Sequence, residues 1–397
     1  MGAKAPEAPP AQRAVVASAS LAAAVLAIGV HHAGGPSTTW LYVIGVGFGV
    51  VLFHSRFGFT SAWRQLVTVG QGRAVRAHML MLAVACVLFA PLLAAGRGSG
   101  NVYPIGAGLV VGAVLFGVGM QLGGSCASGT LFAVGSGQTV IVFTLVGFVM
   151  GSVVGAWHYA FWIGHLPGRG VSLADSRLGY PGALAVSLLV MAAIVGITLR
   201  CERRRRPPII SPPPVVSGAA RAVRGSWPLW VGAILLAALN ALTLAVSHKP
   251  WGITSAFALW GSKALHGFGV NVGHWAYWST PEHAKTLARP ILADRTSVMD
   301  LGIIAGALAA SAAGGVFVLH RRIPARTALA ATVGGLFMGY GARLANGCNI
   351  GAYFSGVASF SLAGWAWGAL AMVGTVAGVS LRPIFGLTNP KPGDAVC

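Results

Sequence analysis

Long uncharged apolar runs constrain this chain more than any other feature: residues 14–30, 40–53, 139–156, 180–199, 301–319 and 361–381 contain no charge. A helix needs about 20 mostly apolar residues to cross a ~30 Å hydrocarbon core. Runs of this length and number exclude an ordinary soluble domain. They predict an all-α polytopic membrane protein with about ten transmembrane helices, near 14–30, 39–54, 77–95, 103–122, 139–157, 180–199, 227–246, 299–319, 327–343 and 361–381. The first span follows Lys4 and Arg13 as a signal peptide's apolar region would, but no small-residue cleavage site follows it. It reads as an anchored helix.

The charges that remain are almost all of one sign. Charged residues make up 9% of the 397, with 27 Lys plus Arg against seven Asp plus Glu, a formal charge of +20. A nucleic-acid surface and the cytoplasmic Lys/Arg bias of a membrane protein both produce such an excess. Position decides for the second: with the amino terminus inside, 18 of the 27 basic residues fall on connections expected to be cytoplasmic. This places both termini in the cytoplasm and the spanning helices in contact with membrane lipid, and excludes a nucleic-acid partner. The strongest vote is the run 200–206, followed by Pro207, Pro208 and Pro212, which reads as an extended cytoplasmic linker.

That linker separates two similar halves. Residues 54–62 (HSRFGFTSA) match 248–256 (HKPWGITSA) at an offset of 194, and the motif 117–129 matches 339–351 at an offset of 222. The difference is an insertion of 28 residues in the second half, expected within 270–296. Trp275, Tyr277 and Trp278 there suggest interfacial anchoring, while His274 and His283 are too sparse for a metal site. The expected organisation is a tail and extra helix over 1–38, a first repeat over 39–157, an unpaired helix and linker over 158–226, a second repeat over 227–381, and a tail over 382–397. One unpaired helix between the halves starts the second from the opposite side, so the repeats are expected to be inverted.

Each half carries an uncharged loop with one cysteine, 123–138 around Cys126 and 344–360 around Cys348. Irregular backbone at membrane depth is tolerated where it is buried in protein or lines a cavity, so both loops read as re-entrant. A half-helix beginning after either cysteine would turn its N–H groups toward an anion. Most of the 57 glycines read as helix-packing positions. Cys86 reads as a small buried hydrophobe, and Cys201 and Cys397 lack repeat partners. Cys126 and Cys348 stand apart because they match.

A neutral thiol is a weak donor and a soft, polarizable group, suited to the terminal sulfur of a sulfur oxyanion. Ser125, Ser128, Asn346 and Asn349 could bond substrate oxygens or equally satisfy the loop backbone, with Gly129 and Gly351 allowing close approach. Arg343, His54 and His248 are candidates for attracting an anion; snorkelling to the interface is the alternative for the arginine, and marking helix ends for the histidines. No Cys-x-x-Cys or Cys/His pairing supports a metal or a dithiol centre, and no cofactor is expected. All seven acids fall in tails, loops or at a helix edge, which speaks against proton or cation coupling and for an anionic or neutral substrate.

The paired motifs at 117–129 and 339–351, on uncharged loops of inverted halves, resemble the YeeE/YedE family of sulfur-transport membrane proteins over residues 39 to 381. The resemblance implies an hourglass-shaped, non-enzymatic inner-membrane facilitator that takes up thiosulfate, with Cys126 and Cys348 as successive thiol contacts. It also implies a TusA-like sulfur carrier as a cytoplasmic partner. Some relatives carry a further cysteine where Gly58 stands here, and some are associated with selenium compounds. The competing reading is a transmembrane thiol-disulfide or persulfide relay enzyme, which requires a Cys126–Cys348 disulfide and Cα atoms within about 7 Å.

Overall fold

In hydrocarbon every backbone N–H and C=O must be satisfied within the protein, which leaves helices as the economical way to cross. The computed structural model, described over residues 10–165, 169–177, 179–207, 220–319 and 322–391, is helical almost throughout. Pro208, Pro212 and Cys397 of the expected linker and tail lie outside those residues. The first half contains α1 (Arg13–Ser55), α2 (Phe59–Thr68), α3 (Arg73–Ala94), α4 (Ala107–Leu122), α5 (Ala127–Gly135), α6 (Thr139–Trp157) and the short α7 (Tyr159–His165). Between the halves run α8 (Gly179–Arg205) and α9 (Ala220–Arg224). The second half contains α10 (Leu229–Ser247), α11 (Thr254–Gly267), α12 (Pro281–Ala288), α13 (Arg295–Ala313), α14 (Ala325–Leu344), α15 (Ser355–Ala358) and α16 (Leu362–Leu381). A π-helical stretch, Asn349–Phe354, leads into α15. Two-residue strands, Pro104–Ile105 and Arg169–Gly170, pair antiparallel.

Eight stretches among the described residues are long and apolar enough to cross a membrane. The N-terminal one holds two crossings. Gly35 takes φ 76° before Pro36, and the Tyr42 hydroxyl donates to Ala23 O at 3.1 Å. Nineteen residues of straight helix would hold those groups about 28 Å apart, so α1 is a hairpin whose two arms are the expected spans 14–30 and 39–54. The 20-residue α14 coincides with the expected span 327–343.

Helix contacts come in reciprocal pairs. The second arm of α1 packs on α13 as α10 packs on α3, α6 packs on α14 as α16 packs on α4, and α11 packs on α6 as α2 packs on α16. A twofold relation between halves produces this pattern. Its direction follows from α4 and α14, which occupy matching positions: Gly112 lies against Gly341 O while Gly119 lies against Gly334 O. Equivalent helices therefore run antiparallel, as inverted repeats require.

Four sequence expectations change. The re-entrant segments number four rather than two, because α2 and α11 are also short half-helices, with Phe59, Ala62, Trp63, Ala256, Phe257 and Leu259 buried. The arginine run is not wholly extended: α8 continues to Arg205, Arg76 pairs with Glu202 at 2.9 Å, and Glu202 also accepts from Gly72 N at 2.8 Å. Tyr277 and Trp278 are buried in a small apolar cluster with Val272 and Leu259 instead of anchoring at an interface, and Trp278 Nε1 donates to Ser262 Oγ at 2.9 Å. The span expected at 299–319 begins earlier, at Arg295, because Asp294 caps it through Ser297 N at 2.8 Å. Asp300 is thereby carried into the second turn of a spanning helix, fully buried, so one acid does lie at membrane depth.

Glycine faces set the closeness of the α6–α14 crossing. A Cβ on Gly147, Gly151, Gly335 or Gly339 would run into Thr332 O, Leu336 O, Thr144 O or Phe148 O respectively. With no hydrophobic drive between helices in lipid, such backbone contact supplies the association. Gly339→Val is expected to destabilise the fold by about 1–3 kcal/mol or more, whereas Gly196→Val, with open space around it, is expected to be neutral. Thermal unfolding of both variants in detergent checks this.

Candidate functional site

Each of the two cysteine-bearing re-entrant loops turns sharply at residues with positive φ and then starts a short helix at its cysteine. Gly124 (φ 75°) precedes Cys126, and Asn346 (φ 56°) with Gly347 (φ 145°) precedes Cys348. Cys126 is the N-cap of α5: its Sγ accepts from Gly129 N at 3.4 Å and lies 3.5 Å from Ser128 Oγ. Cys348 caps the π-helical stretch in the same way, its Sγ accepting from Ile350 N at 3.4 Å. The backbone N–H groups thus engage the sulfur lone pairs, and in the contact between Cys126 and Ser128 either group can be the donor. Both cysteines are free and buried. Gly129 keeps the first thiol clear, since a Cβ there would lie 3.3 Å from Cys126 Sγ.

The segments around the two cysteines touch each other, and each borders a cavity. One, of about 780 Å³, has Gly124, Ser125, Cys126 and Gly129 in its wall with Arg56, Gly58, Thr60 and Ser61. The other, of about 350 Å³, has Ala342, Arg343, Asn346, Gly347 and Gly351 with Lys249, Gly252, Thr254, Ser255 and Arg295. Cys348 itself is absent from this wall and fully buried, between the lining residues Gly347 and Gly351. The two cavities, or vestibules, thus border one cysteine segment each, and the buried contact between those segments is the waist of the expected hourglass.

The expected site residues divide as follows. Ser125 lines the first vestibule, with its Oγ 2.8 Å from Thr130 Oγ1. Ser128 is buried against Cys126. Gly351 lines the second vestibule and accepts from Asn101 Nδ2 at 2.9 Å. Asn349 is sealed in the waist, with Nδ2 3.9 Å from Met120 Sδ and Oδ1 without a partner. Arg343 does not snorkel: at 7% exposure it donates to Tyr277 Oη at 2.6 Å and Thr254 Oγ1 at 2.7 Å. Neutral hydroxyls leave its charge free to act on an anion. His54 and His248 line neither vestibule. His54 Nδ1 meets Gly225 O at 3.1 Å under a stacked Trp227, and His248 Nδ1 meets Arg97 O at 3.0 Å. Both occupy helix-end turns, with the left-handed φ of 57° at His248 itself.

Sequence reading overlooked the second member of each wall. The repeated Gly-x-Thr-Ser at 58–61 and 252–255 places Gly58, Thr60, Ser61, Gly252, Thr254 and Ser255 on the two vestibules. The repeat was visible in the sequence; that these loops fold back to face the cysteine loops was not. The insertion supplies Tyr277, Glu282 and His283 to the second vestibule, where Glu282 pairs with Lys249. Arg295 completes the basic wall, donating to Lys249 O at 3.1 Å and Pro250 O at 3.0 Å. Among the described residues, no group of three or more His, Cys, Asp or Glu could hold a metal ion. Cys86 donates to Val357 O at 3.6 Å and lines neither vestibule.

A family model described as Sulphur transport matches residues 54–377. Among curated proteins, the thiosulfate transporter TsuA of Spirochaeta thermophila is 27% identical over 329 residues, covering 81% of this chain and 92% of its own. TsuA of Escherichia coli K12 is 26% identical over 339 residues, covering 81% of this chain and 88% of its own. The probable transporter YedE of E. coli K12 is 31% identical over 149 residues, 37% of this chain and 36% of its own.

Acidity acts on the second vestibule through α12. The Lys249 ammonium, bonded to Glu282, holds that carboxyl below its usual value, and burial holds His283 below its own. Both shifts favour the deprotonated forms in the folded state. Their stabilisation is complete above the ordinary values and is lost as pH falls, below about 6.5 for the histidine and about 4.3 for the carboxylate. Hydrogen-exchange protection across 281–288 is therefore expected to drop on acidification, and Lys249→Gln is expected to show reduced protection already at neutral pH.

Proposed function

Since the chain belongs to the Sulphur transport family, we propose that it takes up thiosulfate through the waist between its vestibules, by facilitated passage. The observation that carries this is the repeat-matched pair of buried thiols, each capping a short re-entrant helix in a segment that borders a cavity. The anion is drawn to the basic wall of Lys249, Arg295 and Arg343 and desolvated at Gly351 and Asn346. Its terminal sulfur is received by the Cys348 S–H and then by the Cys126 S–H. No covalent bond forms, so the path needs neither an oxidant nor a reductant. The larger vestibule, with Arg56 as its charged residue, delivers the ion to the cytoplasm.

This reading divides the chain into inverted repeats at 39–157 and 227–381. It sets the Cys348 vestibule outward and both termini in the cytoplasm of a bacterial inner membrane. A TusA-like carrier would receive the sulfur at the Cys126 side. Gly58, where some relatives have cysteine, lies on the wall shared with Cys126, and a Cβ there meets only Ser61 Oγ at 3.6 Å. The position thus has room for a thiol that this chain does without.

A dianion entering against an inside-negative potential costs ~2.3 kcal/mol per charge per 100 mV, about 4.6 in all. Consumption inside, or coupling, must offset that. Cys126→Ala and Cys348→Ala are each expected to lower labelled thiosulfate uptake by about tenfold or more, equivalent to ~1.4 kcal/mol at the barrier, with unchanged protein level. Unchanged uptake in both variants would refute the thiol relay.

A further inference from the structure

The offset of 222 residues that joins Cys126 to Cys348 also joins Arg73 to Arg295 and His78 to Asp300. Helices α3 and α13 begin at those two arginines. The repeat therefore sets a histidine and an aspartate at one equivalent place, in the second turn of equivalent spanning helices. Both side chains are at most 1% exposed. His78 Nδ1 and both Asp300 oxygens have no hydrogen-bond partner. A buried ionisable group left unpaired in a membrane span is costly, and its usual reason is function.

Their surroundings link them to the transport path. Asp300 is one helical turn below Thr296, which accepts from the vestibule-lining Ser255 Oγ at 3.0 Å. His78 stacks on Phe59 at 4.3 Å between ring centroids and bonds to the Gly58 backbone. It borders a side cavity of about 240 Å³ that shares Arg56, Gly58 and Ser61 with the Cys126 vestibule. The two groups thus flank the waist, one toward each vestibule.

Few other charges compete. Asp294, the nearest acid on the same chain segment, caps α13 through Ser297 N, six residues before Asp300. From α1, Tyr42 turns its hydroxyl away to Ala23 O, and α5 contributes Cys126 at its cap. Lys263 and His266 lie toward the far end of α11, and α9, with Arg221 and Arg224, packs at the other end of α13. Around His78, Arg73 and Arg56 line the side cavity. Glu202 of α8 is taken up by Arg76, α10 carries no titratable residue within its span, and Arg64 is the basic residue of α2.

We propose that anion uptake is coupled to inward proton movement, with Asp300 and His78 as the proton-binding groups on the Cys348 and Cys126 sides of the waist. This rests on the transport reading above. As the anion and its water enter, a carboxylate oxygen of Asp300 binds a proton from the outer vestibule. The proton passes along the waist water to His78 Nδ1 and leaves through the side cavity to the cytoplasm. No bond to sulfur forms or breaks. One proton per dianion halves the charge moved against the membrane potential, and the unpartnered Nδ1 of His78 and carboxylate oxygens of Asp300 let each group alternate between its protonated and deprotonated forms.

The full chain, reconstituted in liposomes with voltage clamped by potassium and valinomycin, tests this with labelled thiosulfate and an internal pH dye. Adding thiosulfate outside is expected to acidify the interior, and one pH unit of inward gradient to drive about tenfold accumulation per coupled proton. Asp300→Asn is expected to lose both effects while retaining exchange of label between equal pools, and Asp300→Glu to restore them. His78→Gln is expected to weaken both. Wild-type exchange without acidification or gradient-driven accumulation overturns the coupling and leaves transport standing; no wild-type exchange at all overturns both. The wild-type measurement decides even if a variant fails to fold.

Discussion

Backbone lying directly on backbone is the contact on which the rest of the structure depends. Glycines of α4, α6, α14 and α16 remove the side chains that would hold these helices apart, so that carbonyl oxygens of one helix reach the Cα atoms of the next. Lipid gives apolar side chains no reason to prefer protein neighbours, so close van der Waals packing and weak Cα–H···O contacts supply the association. Within the resulting frame, the half-helices can end in mid-membrane because protein surrounds their free backbone groups. Asn240 illustrates this: it donates to Ser355 Oγ at 3.1 Å and accepts from Trp251 N at 2.8 Å, tying α15 to the turn before α11.

That frame also defines the chemistry available at the waist. A short helix starting in the interior offers N–H groups with no intrahelical partner, and at both re-entrant loops a cysteine sulfur accepts one of them. Held there, the thiol can donate a hydrogen bond, which is what the proposed passage of a sulfur anion requires of it. The vestibules differ in character. The one above Cys348 is smaller and carries Lys249, Arg295 and Arg343, while the one at Cys126 is larger with one arginine. The proposed direction, capture on the first side and release on the second, rests on that asymmetry.

Much of this was legible in the sequence. The expected spans correspond to helices because hydrocarbon thickness fixes their length. The matched motifs located Cys126 and Cys348, because a repeat that retains a residue in both halves retains its place in the fold. What remained hidden has physical causes. The α2 and α11 half-helices are too short and too polar to register as spans. Tyr277 and Trp278 looked interfacial because aromatic residues serve either role, and only packing against Leu259 and Ser262 decides. His54 and His248 repeat at helix-end turns and line neither vestibule.

Composition, spacing and self-similarity by themselves determined the solvent, the number of crossings, the inverted relation and the pair of thiols, since each is set by period or length along the chain. Tertiary structure decided what the period cannot encode: which loops share a wall with which cysteine, that Arg343 faces inward beneath an inserted helix, and that Asp300 lies at membrane depth. That last point turned on a single cap at Asp294, which moved a helix start by one turn and carried a carboxyl from an apparent edge into the interior. Burial is a property of neighbours in space, and only the packed repeats bring those neighbours together.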